Sequence, residues 1–216
     1  EEQNLVRKTA QASGPIGDGT FVTGAEVGDP ALDTNSTQEE SVAPDHAGWH
    51  LSEVRAHASA RSFFSTSSSS LCVTLETPVM TLTPGQSAQL GFWTAWDTEP
   101  AYDGGIVQIS TNGGTSWTRL GPAGFYPNTI THAGNACAAL ANGTPAFSSN
   151  TQLTWQQKTL NLSAYAGQSI KLAWRYGSDG GVDREGWYVD DITLTHAQIP
   201  GVCTSAEMFG NGFENN

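Results

Sequence analysis

The chain has 216 residues, and its 9 lysines and arginines stand against 21 aspartates and glutamates, which gives a formal net charge of −12. Such an acidic surface repels nucleic-acid phosphates and anionic membranes, so the composition argues against both partners. No apolar run approaches the roughly 20 residues that a membrane-spanning helix needs, so no membrane insertion is expected. The bias towards Ser, Thr and Gly is typical of secreted proteins, and we expect an extracellular location.

The first part of the chain, residues 1–48, shows little hydrophobic periodicity. Its Gly-Pro-Ile-Gly-Asp-Gly stretch at 14–19 and its polar run at 29–45 are typical of loops. We therefore expect an irregular N-terminal segment, with one possible first strand near residues 20–23.

From Trp49 onward, large apolar residues alternate with small or polar ones. This period of two is the pattern of a strand with one buried face. Gly-rich turn sequences at 103–105, 112–114 and 179–181 separate the alternating stretches. The sequence therefore predicts an all-β antiparallel sandwich or barrel over residues 49–198, followed by a tail of different character at 199–216.

The stretch Ser-Thr-Asn-Gly-Gly-Thr-Ser-Trp at 110–117 raises the question of a catalytic serine. A nucleophilic serine needs a base and an orienting group, but no G-x-S-x-G or H-E-x-x-H motif is present. Asn-Gly between two alternating stretches is instead a strong hairpin signal, and Ser110 and Asn112 can bond the turn amides. We therefore interpret the stretch as a hairpin clasp that resembles the Asp-box turn, and we predict no catalytic residue.

The chain has three cysteines, Cys72, Cys137 and Cys203, whose spacing matches no metal motif. In an oxidising compartment one disulfide and one spare thiol is the simplest arrangement, and three pairings are open. We favour Cys72 with Cys137, because Cys203 lies in the tail. Cys137 belongs to a stretch of low periodicity at 121–151, and a loop that long is usually functional or mobile.

Four motifs in chain order resemble a known family. They are E-x-x-Y-D-G-G at 99–105, the hairpin at 110–117, L-S-x-Y-A-G-Q at 162–168 and G-W-Y-V-D-D-I at 186–192. The set is similar to the MAM-like and choice-of-anchor J modules of secreted bacterial proteins, including the accessory domain of immune-inhibitor-A-type metallopeptidases. The resemblance implies a two-sheet jelly roll, a non-catalytic accessory role, and a parent hydrolase domain, such as a peptidase, as partner.

Acidic residues fall in groups that suggest a cation site. Calcium prefers six to eight oxygen ligands, which carboxylates from several loops at one sandwich edge can supply. The resemblance implies a structural calcium, and we expect Glu99, Asp103 and Asp191 as its best ligands. The further candidates are Asp190, Asp97, Glu26 and Asp29.

Two neighbouring aspartates on one strand point to opposite faces, so one of Asp190 and Asp191 is expected to face inward. A buried carboxylate needs a metal, a charge partner or hydrogen bonds. The alternative to a metal is therefore bonding to turn amides, or to Arg175 or Arg184. A glycosidase pair of acids would need a cleft, which the sequence does not indicate.

Aromatic residues suggest a second kind of site. Most of the seven tryptophans lie in strand patterns and are expected in the core. We expect Tyr126 and Phe125, in the stretch at 121–151, and Trp117, beside the hairpin, to be the exposed rings that could stack on sugars. A module that binds a surface glycan or protein is thus the alternative function, and a stand-alone hydrolase is the least favoured one.

Overall fold

The computed structural model describes residues 19–26, 32–34 and 48–198. It is 44% strand and 4% helix, arranged as two antiparallel sheets, so the predicted all-β sandwich is confirmed. Among the described residues, no helix is long and apolar enough to cross a membrane.

The first sheet has the strand order β12-β7-β14-β4-β3, and β1 pairs with the distal part of β14. All its pairings are antiparallel, as expected for strands joined by turns and loops. The bounds are Phe21–Thr23 (β1), Trp49–Ser52 (β3), Ser62–Thr66 (β4), Gln89–Asp97 (β7), Gln156–Asn161 (β12) and Gly186–Leu194 (β14).

The second sheet is centred on β13, which pairs with β8 on one side and with β5 and β6 on the other. The strands β2, β9 and β15 extend it at the edges. The bounds are Asp33–Thr34 (β2), Cys72–Glu76 (β5), Met80–Leu82 (β6), Gly104–Ser110 (β8), Thr118–Arg119 (β9), Ser169–Gly177 (β13) and Ala197–Gln198 (β15).

Large aromatic side chains fill the space between the sheets. Trp96 and Trp187 from the first sheet and Trp174 from the second are almost completely buried. Phe92 packs against Trp174 with ring centroids 5.7 Å apart, and Phe147 contacts Trp96 at 5.0 Å. Burying one such apolar side chain contributes about 1.5–3 kcal/mol, so this row is a major source of stability.

The N-terminal segment contributes to the sandwich. The possible strand near residues 20–23 is present as β1, and Phe21 lies opposite Leu194. The sandwich therefore begins before the boundary expected at residue 48. The tail at 199–216, with Cys203, lies outside the described residues.

The stretch at 121–151 has few long strands, yet it packs closely on the sandwich. It holds a small ladder of Asn128–Thr129 (β10) with Pro145–Ala146 (β11), and the 3₁₀ helix Ala138–Leu140. A second 3₁₀ helix, Ser163–Tyr165, follows β12. A disulfide joins Cys137 to Cys72 on β5. The segment is thus tied to the second sheet covalently and by its buried apolar side chains.

Candidate functional site

The hairpin at 110–117 has the geometry of a clasp. Ser110 Oγ accepts hydrogen bonds from the amides of Asn112 at 3.3 Å and Gly114 at 2.9 Å. The same hydroxyl donates to Asn112 Oδ1 at 2.8 Å, and that oxygen accepts the amide of Ser116 at 2.9 Å. The Ser110 hydroxyl is therefore fully used in closing the turn and contacts no base.

One end of the sandwich gathers three carboxylates from two loops. Glu99 and Asp103 stand on the turn between β7 and β8, and Asp179 stands on the loop after β13. One carboxylate oxygen from each lies within 4.8 Å of the other two. Glu99 and Asp103 were predicted as ligands from the sequence, whereas Asp179 takes the place expected for Asp191.

Asp103 is the buried member of this group, with 2% of its surface exposed. Its Oδ1 accepts the amide of Asp179 at 2.9 Å, and its Oδ2 accepts the hydroxyl of Ser67 at 3.2 Å. The pKa of Asp103 is raised to about 6, chiefly by burial and in smaller part by the charges of Asp179 and Glu99, while the two hydrogen bonds oppose the rise. The group thus concentrates negative charge that a cation would neutralise.

The two more exposed carboxylates hold the loop that closes the group. Glu99 Oε2 accepts the amide of Val182 at 3.1 Å, and Asp179 Oδ1 accepts the amide of Gly181 at 2.6 Å. A Cβ atom added at Gly181 would lie 2.8 Å from Asp179 Oδ1 and 3.0 Å from Glu99 Oε2. Glycine therefore keeps the space between these oxygens free.

Asp97, another expected ligand, ends β7 two residues before Glu99. Its Oδ1 is buried and has no hydrogen-bond partner within the described residues. A buried carboxylate oxygen without a donor is unfavourable in water-free surroundings. Asp97 does not belong to the group of Glu99, Asp103 and Asp179. Those three clustered carboxylates are the chemistry that a hard cation such as calcium fits.

The Asp190–Asp191 pair forms a separate arrangement. Asp97 lies opposite Gly186 in the β7–β14 ladder, whereas Asp190 lies opposite Trp93. Four residues of strand correspond to about 13 Å, so Asp191 cannot complete the group around Asp103. The expectation that Glu99, Asp103 and Asp191 share one site is therefore wrong.

Protein donors satisfy Asp190. Its Oδ2 accepts the amide of His57 at 2.8 Å, and its Oδ1 accepts the amide of Asp191 at 2.8 Å. It is fully buried, and burial raises its pKa to about 6. It lies beside Trp93 on the outer face of the first sheet, beneath the segment that holds His57, and does not face the core between the sheets. Backbone amides thus satisfy both oxygens of Asp190, and neither Arg175 nor Arg184 takes part in these bonds.

The remaining acidic candidates do not join either place. Glu26 Oε1 accepts the amides of Ala60 at 2.9 Å and Arg61 at 2.8 Å, so it orders the loop before β4. Asp29 lies outside the described residues.

The expected sugar-stacking rings do not form a platform. Tyr126 is only 6% exposed, and its hydroxyl accepts the amide of Val107 at 3.0 Å and donates to the carbonyl of Leu120 at 2.7 Å. Burial raises its pKa to about 12. Phe125 is partly buried and packs edge-on against it, with ring centroids 4.9 Å apart. Tyr126 is therefore a core residue, which corrects the prediction. Of the three expected rings, Trp117 alone stands at the hairpin, where it is partly exposed.

Two other tryptophans lie outside the core. Phe92 and Thr94 of β7 are buried between the sheets, whereas Trp93 points the other way and is partly exposed. Trp155, before β12, is partly buried and packs on the outer face of the same sheet. The sequence signal was present, because Trp93 occupies the opposite phase of the alternation from Phe92 and Trp96.

One family model covers most of the sandwich. The model of the "Immune inhibitor A-like, MAM domain" family matches residues 28–207. The chain belongs to this immune inhibitor A-like MAM domain family. The match includes both the loop-end carboxylates and the outer face of the first sheet, so these features lie within the family's domain.

One curated relative of this MAM-domain chain is immune inhibitor A of Bacillus thuringiensis subsp. alesti, which is 32% identical over 135 residues. That alignment covers 62% of this chain but 17% of the relative. The chain therefore corresponds to a small part of that longer protein.

Solved structures resemble the fold at low identity. The K1 cleaved adhesin domain of Lys-gingipain from Porphyromonas gingivalis W83 matches with a TM-score of 0.46 and 18% identity, over 81% of this chain and 96% of that one. A TmCBM61 structure in complex with β-1,4-galactotriose matches with a TM-score of 0.41 and 15% identity, over 86% and 90% of the two chains.

Proposed function

We propose that this chain is a non-catalytic accessory module of an exported bacterial protein, a secreted peptidase in the simplest case, and that calcium stabilises its loop end. The observation that carries the proposal is the group of Glu99, Asp103 and Asp179, whose carboxylate oxygens lie within 4.8 Å of one another. Family membership supports the accessory role, because the matching family is a MAM domain of immune inhibitor A-like proteins.

The donor set favours calcium among common cations. Carboxylate ligands that offer only oxygen suit calcium, whereas magnesium prefers a strict octahedron rich in water. Glu99, Asp103 and Asp179 would hold the ion, and Asp97 lies two residues along the chain from Glu99. A bound ion would supply positive charge that offsets the repulsion around Asp103, so the turn before β8 and the loop after β13 would be held together.

Two features support a role without catalysis. The Ser110 hydroxyl is consumed by its own turn. The described residues do contain a histidine–carboxylate pair, since His57 Nδ1 and Asp191 Oδ2 are 2.7 Å apart. The other ring nitrogen, Nε2, makes no hydrogen bond within the described residues, so none of the serine hydroxyls described there completes a triad with His57. The partner of the module would then be its parent hydrolase domain, or a glycan or protein at a cell surface.

The experiment is a thermal melt of the purified chain in excess calcium and in chelator, with calorimetric titration of calcium. A ligand that binds only the folded state raises the melting temperature by mass action. We expect a gain of several degrees in calcium, which Asp179→Asn removes. The matched control is Asp183→Asn, because Asp183 is an exposed carboxylate on the same loop outside the group.

The outcomes separate the parts of the proposal. A calcium response that Asp183→Asn abolishes and Asp179→Asn preserves would place the ion elsewhere. An identical melting curve in calcium and in chelator would overturn the proposal that calcium binds. Turnover of peptide or glycoside substrates by the chain alone would overturn the accessory role.

A further inference from the structure

Three aromatic rings meet on the outer face of the first sheet. The ring of His57 stacks on that of Trp93 with centroids 3.6 Å apart and an interplanar angle of 13°. The same histidine meets Trp155 edge-on, with centroids 5.9 Å apart. We name Trp93, His57 and Trp155 the outer aromatic cluster. It lies on the side of the sheet away from the core.

The strand register places polar groups beside these rings. Trp93 lies directly opposite Gln157 of β12 on one side and Asp190 of β14 on the other. Directly opposite residues share a face, so the exposed amide of Gln157 stands next to the indole of Trp93. Asp191 reaches the cluster from the next position of β14, through its bond to His57.

The cluster is held in place before any ligand arrives. Asp190 fixes the backbone of His57 at 2.8 Å, and Asp191 fixes its ring at 2.7 Å. Trp155 rests on buried Tyr188, with ring centroids 6.2 Å apart. Side chains that are fixed in advance lose little freedom on binding, so such a surface gains affinity from preorganisation.

The cluster also remains accessible to solvent. The side chains of His57 and Asp191 are 24% and 30% exposed, and Trp93, Trp155 and Gln157 all keep contact with solvent. The buried neighbours beneath, Phe64, Ala95 and Tyr188, form their own small apolar cluster. Trp155 packs against that cluster and stays partly exposed.

We propose that the outer aromatic cluster binds a neutral polysaccharide. Aromatic faces accept the C–H groups of sugar rings. The amide of Gln157 can donate hydrogen bonds to sugar hydroxyls and accept them, and the carboxylate of Asp191 can accept them. The net charge of −12 disfavours anionic polymers. The inference rests on the proposed role as a non-catalytic accessory module and selects a glycan among its possible partners. It adds the ligand class and the surface, at a position separate from the calcium group.

The test is retention of the whole chain on insoluble chitin and cellulose, and retardation in gels that contain xylan, galactan or β-glucan. Alginate serves as the anionic comparison. Trp155→Ala removes one ring of the cluster without altering the central strand β7. The matched control is Trp117→Ala, because Trp117 is a partly exposed tryptophan at the hairpin, away from the first sheet.

We expect retention on at least one neutral polymer, weakened about tenfold or more by Trp155→Ala and unchanged by Trp117→Ala. Gln157→Ala is expected to weaken binding without lowering the melting temperature, since this exposed amide has no part in the core. Absence of retention on all five neutral polymers, equal retention of the Trp155→Ala variant, or retention by alginate alone would overturn the proposal. Calcium is present in every retention assay. A lack of calcium response in the melt would therefore count against the cation, and a lack of retention would count against polysaccharide binding.

Discussion

The backbone amide of Asp179 donates a hydrogen bond of 2.9 Å to Oδ1 of Asp103, although 76 positions separate the two residues in sequence. This bond brings a second carboxylate, that of Asp179 itself, next to a buried one. The loop after β13 is thereby fixed against the turn before β8 at an electrostatic cost. The consequences for stability depend on whether a cation is present.

The Asp103→Asn substitution is expected to have opposite effects with and without calcium. In chelator at pH 7 it removes a buried charge and can keep the bond to the Asp179 amide. It should therefore stabilise the fold by about 1–3 kcal/mol, since a tenfold change in proton affinity corresponds to about 1.4 kcal/mol. In excess calcium the variant should not show the increase in the free energy of unfolding that calcium gives the native chain. Urea unfolding in both buffers measures this, and a variant that still responds fully to calcium would contradict it.

Asp190 should make stability depend on pH. Burial raises its pKa to about 6, above the ordinary value of 3.8, and the titratable groups facing it are Asp191 and His57. The folded state thus holds the proton more tightly than the unfolded state. This contribution is fully present below about pH 4 and is lost as the pH rises through about 6.

Melting curves of the native chain and Asp190→Asn in chelator measure the effect of Asp190. The variant lacks the titrating group, so its melting temperature should rise relative to the native chain between pH 4 and pH 7. Asp103 titrates in both proteins and cancels from the difference. A constant difference across this range would show that Asp190 does not titrate as expected.

The strand pattern was predictable because its cause is local. One buried face forces a period of two, and this is why the alternation from Trp49 onward correctly predicted the sandwich. The same rule wrongly placed Asp190 and Asp191 on opposite faces, whereas both contact His57 on the outer face of the first sheet. The β14 ladder shifts register between Asp190 and Thr193, and Asp191 has a φ of 46°. A bulge of this kind breaks the alternation, and the sequence carries no mark of it.

The long-range contacts that complete the site could not be predicted from local sequence patterns. Glu99 and Asp103 are neighbours on one turn, so their pairing followed from spacing. Asp179 joins them only because β13 and β8 are paired in the second sheet. In the same way, the placement of Trp93 beneath His57 depends on how the segment before β4 folds over the first sheet.

The Gly105→Ala substitution should be strongly destabilising. Gly105 belongs to the Asp-Gly-Gly motif, and a Cβ atom there would lie 2.3 Å from the ring of Trp187. That ring is completely buried and cannot move aside, so overpacking should cost about 3 kcal/mol or more. The control is Gly113→Ala, where φ is +70° but no atom lies within 4 Å, and where the expected cost is about 1–2 kcal/mol. Equal losses in urea unfolding would contradict the packing explanation.

Removing the disulfide between Cys72 and Cys137 should lower the free energy of unfolding by about 4 kcal/mol. The bond closes a loop with a sequence separation of 65, and a cross-link over such a loop restricts the unfolded chain. The double variant Cys72→Ser/Cys137→Ser and the reduced native chain should therefore show the same loss in urea unfolding. The control is Cys203→Ser, which should keep full stability and leave no free thiol under denaturing conditions. A loss of stability in that control equal to that of the double variant would show that the third cysteine takes part in the bond.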